Sequence, residues 1–238
     1  LSESFNRMAQ ELENTELLRS DFINNFSHEF KTPIVSLRGF AKILKNDRLT
    51  KEERDEYLDI IISESNRLSQ LSTNVLNLSK IEKMSILSDM ESFDLSEEVR
   101  QSVLLLESKW QKKDLELFID MDELEYRGNK ALLNQVWINL IDNAIKFSAE
   151  GSTLGLSITT KGGKAYVSVR NTGQTIPPEE LPLIFDRFHK SDKSRSVDRE
   201  GVGLGLYIVK TILNSHKENI TVSSENGVTE FVFTLTLA

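Results

Sequence analysis

The chain has 238 residues, 39% of them hydrophobic and 28% charged, a composition that suits one large globular domain or two modest ones and excludes a disordered or membrane-embedded class. Its 37 acidic and 29 basic residues give a formal net charge of -8, which repels nucleic acid unless a basic patch is concentrated somewhere, and the sequence holds no such patch. With no cysteine, disulfides, thiolate metal sites and cysteine nucleophiles are excluded. No apolar run approaches the roughly 18 to 20 residues a bilayer requires and no signal peptide opens the chain, so a soluble portion is expected; the start at Leu1, without an initiator Met, points to a fragment of a longer protein.

Residues 1 to 92 contain one Gly and one Pro. Phe5, Met8, Leu12, Leu18, Phe22, Phe26, Phe30, Ile34, Leu37, Ala41 and Leu44 recur at spacings of three and four, which predicts one long amphipathic helix bent, but not ended, by Pro33 and Gly39. After a polar turn at Asn46 to Arg48, Thr50 and Glu53 form a capping box for a second helix, along which Ile61, Leu68, Leu71, Val75 and Leu78 keep the helical spacing to about Met84. Two such helices make an antiparallel hairpin. Apolar stripes on both argue that two hairpins join in a four-helix bundle, a homodimer.

From Phe93 the pattern becomes mixed. Ser96 is expected to cap a helix running to about Lys113, Leu115 to Met121 alternates as a strand, and Lys130 to Phe147 is helical. Thr153 to Thr160 and Lys164 to Arg170 read as a hairpin around Gly162 and Gly163. A Pro- and Gly-rich stretch from Asn171 to Gly205 leads to a helix ending near Ser215 and a last hairpin turning at Asn226 and Gly227, together an α/β sandwich with helices on one face of one sheet.

Three groups of residues could carry chemistry. His28 alone reads as a surface histidine. With Glu29 beside it to hold one ring nitrogen as N–H, Thr32 one turn on and Pro33 loosening the helix, it becomes a candidate nucleophile. Asn139 and Asn143 share a helix face that Lys146 can join, so they either pin helix to sheet or offer amide oxygens to Mg²⁺ while Lys146 meets phosphate. Gly201, Gly203 and Gly205 lead into a helix N-terminus, where exposed N–H groups and the dipole favour an anion. Neither a Walker-type phosphate loop nor the eukaryotic protein-kinase signatures occur.

In their order these motifs resemble a bacterial two-component sensor histidine kinase, and the resemblance covers essentially the whole chain. Ser27 to Pro33 is similar to the family's H box, Asn139 to Asn143 to its N box, Asn171 to Gly173 to its first glycine box, Phe185 to Phe188 to its F box and Gly201 to Gly205 to its second glycine box. The resemblance implies a coiled-coil lead-in (1–20), a dimerisation and histidine-phosphotransfer domain (21–84), a linker (85–92) and an α/β-sandwich ATP-binding domain of the GHKL type (93–238). It implies that His28 accepts phosphate from ATP, Glu29 acts as general base, and Thr32 assists dephosphorylation of a response regulator whose receiver aspartate takes the phosphoryl group. It further implies that Asn143, with Asn139, ligates Mg²⁺, that Lys146, Phe147, Asn171, Gly173, Ile176, Phe188, Arg195, Gly201, Gly203, Leu204 and Gly205 complete the nucleotide site, and that residues from about His189 to Glu200 form a lid. The full-length protein would be membrane-anchored, with this portion on the cytoplasmic side and itself out of contact with the membrane. The first glycine box departs from the family: Asn171 stands where an Asp is usual and Thr175 where a second Gly is usual, and Glu200 replaces a frequent Gly. That altered box is the one feature behind a second reading, a nucleotide-binding scaffold or phosphatase-biased pseudokinase.

Overall fold

The computed structural model describes residues 2–46, 48–83, 89–190 and 203–237, with residues 2–22, 82 and 83 described by their backbone alone. Helix α1 (Ser2–Ile43) runs unbroken through Pro33 and Gly39. Proline removes one N–H donor and the neighbouring turns keep theirs, so a long amphipathic helix survives it. Helix α2 (Lys51–Lys83) opens on the expected capping box: the Glu53 N–H donates to Thr50 Oγ1 at 3.1 Å and the Thr50 N–H to Glu53 Oε2 at 2.9 Å. Near the turn the Phe40 and Tyr57 rings lie 5.4 Å apart. The chain forms two compact units that part between Val75 and Leu76, so the second unit begins within α2.

The second unit contains β1 (Glu91–Asp94), α3 (Leu95–Leu105), α4 (Glu107–Lys112), β2 (Glu116–Met121), β3 (Glu125–Gly128), α5 (Lys130–Phe147), β4 (Thr153–Lys161), β5 (Lys164–Thr172), α6 (Gly205–Ser215), β6 (Ile220–Glu225) and β7 (Val228–Thr236). Five strands make a mixed sheet in the order β2-β4-β5-β7-β6, with β2 parallel to β4 and the other pairs antiparallel. Alternation along β4, β5 and β7 turns Leu154, Leu156, Ile158, Val167, Val169, Phe231, Phe233 and Leu235 to one face, all buried. Helices α5 and α6 cover that face with Leu133, Val136, Trp137, Leu140, Ile141, Ile208, Val209 and Ile212. Trp137 and Phe233 meet across the two layers with their centroids 5.3 Å apart.

Three local details differ from the sequence expectations. The cap of α3 is Asp94, whose side chain accepts from the Glu97 N–H at 3.0 Å, while the Ser96 hydroxyl donates to Asp94 Oδ1 at 2.6 Å. The helix expected to reach Lys113 breaks at Leu106. There the Trp110 indole N–H donates at 3.0 Å to the Val103 carbonyl, the acceptor that a continuing helix would give to residue 107. A second sheet, the antiparallel pair β1 and β3, stands apart from the main one.

The layer packing sets an expected contrast. Phe233→Ala should cost about 3 to 5 kcal/mol of unfolding free energy, the usual loss for a fully buried phenyl ring. Tyr166→Ala, on the exposed face of neighbouring β5, should cost well under half of that. Urea titration of both variants checks it.

Candidate active site

His28 and Thr32 are exposed on α1, one turn apart, while Glu29 is half-buried and Pro33 buried. The Thr32 hydroxyl donates to the His28 carbonyl at 3.2 Å, and the Ser27 hydroxyl to the Ile23 carbonyl at 2.7 Å. Glu29, expected to hold the His28 ring, instead accepts from Arg67 Nη2 of α2 at 2.6 Å. Among the described residues nothing hydrogen-bonds the His28 ring.

In the second unit, α5 begins with Asn129 as its cap, accepting from the Leu132 N–H at 3.0 Å, and carries Asn139 and Asn143, both half-buried, one turn apart. The Asn139 amide donates to the Gln135 carbonyl at 2.7 Å, which turns its oxygen the other way. A Cβ on Gly205, the first residue of α6, would lie 2.9 Å from that oxygen, so a larger residue there would push the Asn139 amide aside. Leu204, the N-cap of α6, is buried and offers no side-chain acceptor, which leaves the first N–H groups of the helix for another anion or acceptor. Gly203 has φ +75°, and its carbonyl accepts from the Phe188 N–H at 2.9 Å, Phe188 itself having φ +62°.

Asn171 lies near the end of β5 and is 2% exposed, on the face that Val167 and Val169 turn toward the helices. Gly173 follows at a tight junction: a Cβ there would come within 2.0 Å of the Phe147 carbonyl oxygen. Its N–H donates to the Gly227 carbonyl at 2.7 Å, and Ile176 and Thr175 are tied to the same β6–β7 end, Ile176 N–H to Ser224 Oγ at 2.8 Å and Gly227 N–H to Thr175 Oγ1 at 2.8 Å. The structure thus brings Asn139, Phe147, Gly173 and Gly205 into one region through α5. Arg195 and Gly201, with most of the expected lid, lie outside the described residues.

Lys146 is held by Asp142, Nζ to Oδ2 at 3.0 Å, and the other carboxylate oxygen takes Lys109 Nζ at 2.5 Å. Burial opposes ionisation of Asp142, but the two lysines outweigh it and keep its carboxyl below the usual range. Lys113 donates to the Lys146 carbonyl at 2.6 Å and the Ser148 carbonyl at 2.9 Å, closing the C-terminal end of α5; burial pulls its ammonium below the ordinary lysine range, with Glu150 opposing. Sequence reasoning missed Lys109 and Lys113 because both reach α5 from more than 30 positions away. The Asp between the two N-box asparagines was the available signal for the first.

Comparison with known proteins accords with this geometry. Residues 18–83 match the His Kinase A (phospho-acceptor) domain, and residues 128–238 match the histidine kinase-, DNA gyrase B- and HSP90-like ATPase. Sensor histidine kinase CusS of Escherichia coli K12 is 30% identical over 98% of this chain and 48% of its own length, and heme sensor protein HssS of Staphylococcus haemolyticus is 33% identical over 98% and 50%. The chain therefore spans about half the length of the curated relatives it matches. Histidine kinase ThkA, solved in complex with response regulator protein TrrA, superposes with a TM-score of 0.79 at 25% identity, over 99% of this chain and 66% of that one. The molecule thus joins a phosphoacceptor-type helical hairpin to a GHKL-type ATPase fold. It belongs to the sensor histidine kinases.

The Asp142 cluster predicts a pH effect. A carboxyl depressed in the folded state contributes stability that is present above its unfolded value, about 4, and is lost as pH falls through the folded value. Asp142→Asn should therefore lower stability at pH 7 and narrow its gap to the parent as pH drops below about 4. Denaturant midpoints measured from pH 7 to pH 3 test this.

Proposed function

We propose that the chain is the catalytic portion of a two-component sensor kinase that uses ATP to phosphorylate His28 and passes the phosphoryl group to an aspartate of a response regulator. The observation that carries this reading is the meeting of α6 and the Asn139 amide at Gly205, in a chain whose hairpin also exposes His28. One neutral ring nitrogen of His28 gives its lone pair to the γ-phosphorus as the bond to the bridging oxygen of ADP breaks, and the proton on the other nitrogen passes to Glu29. The uncapped N–H groups at the start of α6 and Lys146 bind phosphate oxygens, Phe147, Ile176 and Phe188 flank the nucleotide, and Asn171 accepts from the adenine amino group.

Mg²⁺ fits the donor set. Asn143 and Asn139 offer hard amide oxygens of the kind this ion takes alongside phosphate and water. Among the described residues no cluster of three His, Asp or Glu could hold a metal by itself, so the ion would come bound to the nucleotide. When bound it would neutralise phosphate charge. Ile23, Ile34, Val35, Leu58 and Ile62 are exposed on the hairpin of a single chain, which supports a homodimeric bundle that covers them. Thr32, one turn from His28, supports hydrolysis of the phosphorylated regulator. No described helix is long and apolar enough to cross a membrane. This portion would work on the cytoplasmic side, where ATP is available, within a longer membrane-anchored protein.

His28→Gln should abolish labelling by γ-labelled ATP while leaving nucleotide binding intact, and the parent's label should be lost in acid and survive alkali. Label persisting on the variant sinks the assignment. At Asn171 an amide carries donors as well as an acceptor and is uncharged, so it anchors adenine less tightly and discriminates less than a carboxylate. Asn171→Asp should strengthen ATP binding relative to GTP by about fivefold, equivalent to roughly 1 kcal/mol. Calorimetric titration of both nucleotides decides it.

A further inference from the structure

The hairpin holds an ionic cluster that phosphotransfer does not explain. Arg67 Nη2 donates to Glu29 Oε2 at 2.6 Å, and Arg67 Nη1 lies 3.7 Å from Glu64 Oε2, with side-chain exposures of 13% for Arg67, 27% for Glu29 and 22% for Glu64. The guanidinium is poorly satisfied for so enclosed a group. Arg67 Nε and Glu64 Oε2 are both buried with no hydrogen-bond partner among the described residues. Two carboxylates therefore share one cation, and the shorter contact goes to the residue beside His28.

Adjacent residues on a helix do not face each other. His28 turns outward, whereas Glu29 reaches across to α2. A carboxylate drawn to α2 has to leave the guanidinium before it can take a proton from a ring on the outer face.

We infer that Arg67 is a positioning residue that parks Glu29 away from His28, so that opening of the Arg67–Glu29 ion pair precedes phosphorylation. The inference rests on the reading of Glu29 as the base for His28. Glu64 tunes the latch by competing for the same guanidinium.

The experiment measures initial rates of His28 labelling over a range of ATP concentrations in the whole chain. Arg67→Gln should raise kcat about fivefold, the gain expected when a partly exposed ion pair no longer holds the base, with KM for ATP unchanged. Arg67→Lys, which keeps the charge, should stay close to the parent. Glu64→Gln leaves Glu29 as the only counter-ion among the described residues and should lower kcat, a test that stands even where Arg67→Gln does not fold. In a Glu29→Gln background, Arg67→Gln should produce no further change, because it acts through Glu29; a merely structural role would add its effect in both backgrounds. An unchanged or lower kcat in folded Arg67→Gln, an unchanged or higher kcat in Glu64→Gln, or the same acceleration with and without Glu29 overturns the inference. A parent chain that takes up no label overturns the phosphotransfer reading as well. A labelled parent whose Glu29→Gln variant is equally fast removes Glu29 as the base and this inference with it, leaving His28 as acceptor.

Discussion

Helix α5 has to serve the core and the candidate site at once, and the second unit is organised around that constraint. One stripe of the helix is fully apolar: Leu133, Val136, Trp137, Leu140, Ile141 and Ala144 are buried against the sheet and α6. The asparagines at 139 and 143 sit on its shoulder, half-buried, where an amide can reach a ligand without being drawn into the apolar layer. Packing density on one side thus fixes the orientation of polar groups on the other. Any rotation of α5 that moved the amides would also pull Trp137 off Phe233.

Around this helix the backbone comes closer than side chains allow. At Gly173 the end of β5 lies against the last turn of α5, and at Gly205 the start of α6 lies against Asn139. A methyl group at either place would collide, in the first case with a carbonyl oxygen that cannot move without the helix. Lys113 reinforces the same end by donating to two carbonyls that the finished helix leaves over. Backbone proximity and a cation at a helix terminus thus hold this end of the candidate site.

The sequence made legible what repeats locally. The capping box at Thr50 and Glu53, the extents of α1 and α5, and both hairpin turns depend on residues a few positions apart, and the structure has them where the pattern puts them. Strands β1 and β3 escaped because each is only four residues long, mostly polar and paired across some 30 positions of chain. Asp94 displaced Ser96 as a cap for the same reason: pairing of β1 runs through Asp94, so the helix starts directly after it. Of the site, the motif positions could be read, but not which charges they would meet. Glu29 finds Arg67 and Asp142 finds Lys109 through contacts that span more than 30 residues, and no local pattern encodes such partners.

The hydrogen bond from the Phe188 N–H to the Gly203 carbonyl has a further consequence for how this fold can vary. It joins the two ends of the intervening segment at its base, in left-handed conformations that set the direction of the chain on both sides. Once the ends of a loop are fastened, each doubling of the chain between them costs only about 0.6 kcal/mol of closure entropy. A change of chain length between these two residues therefore adds little closure cost to the start of α6, whose position the pairing at Phe188 and Gly203 fixes.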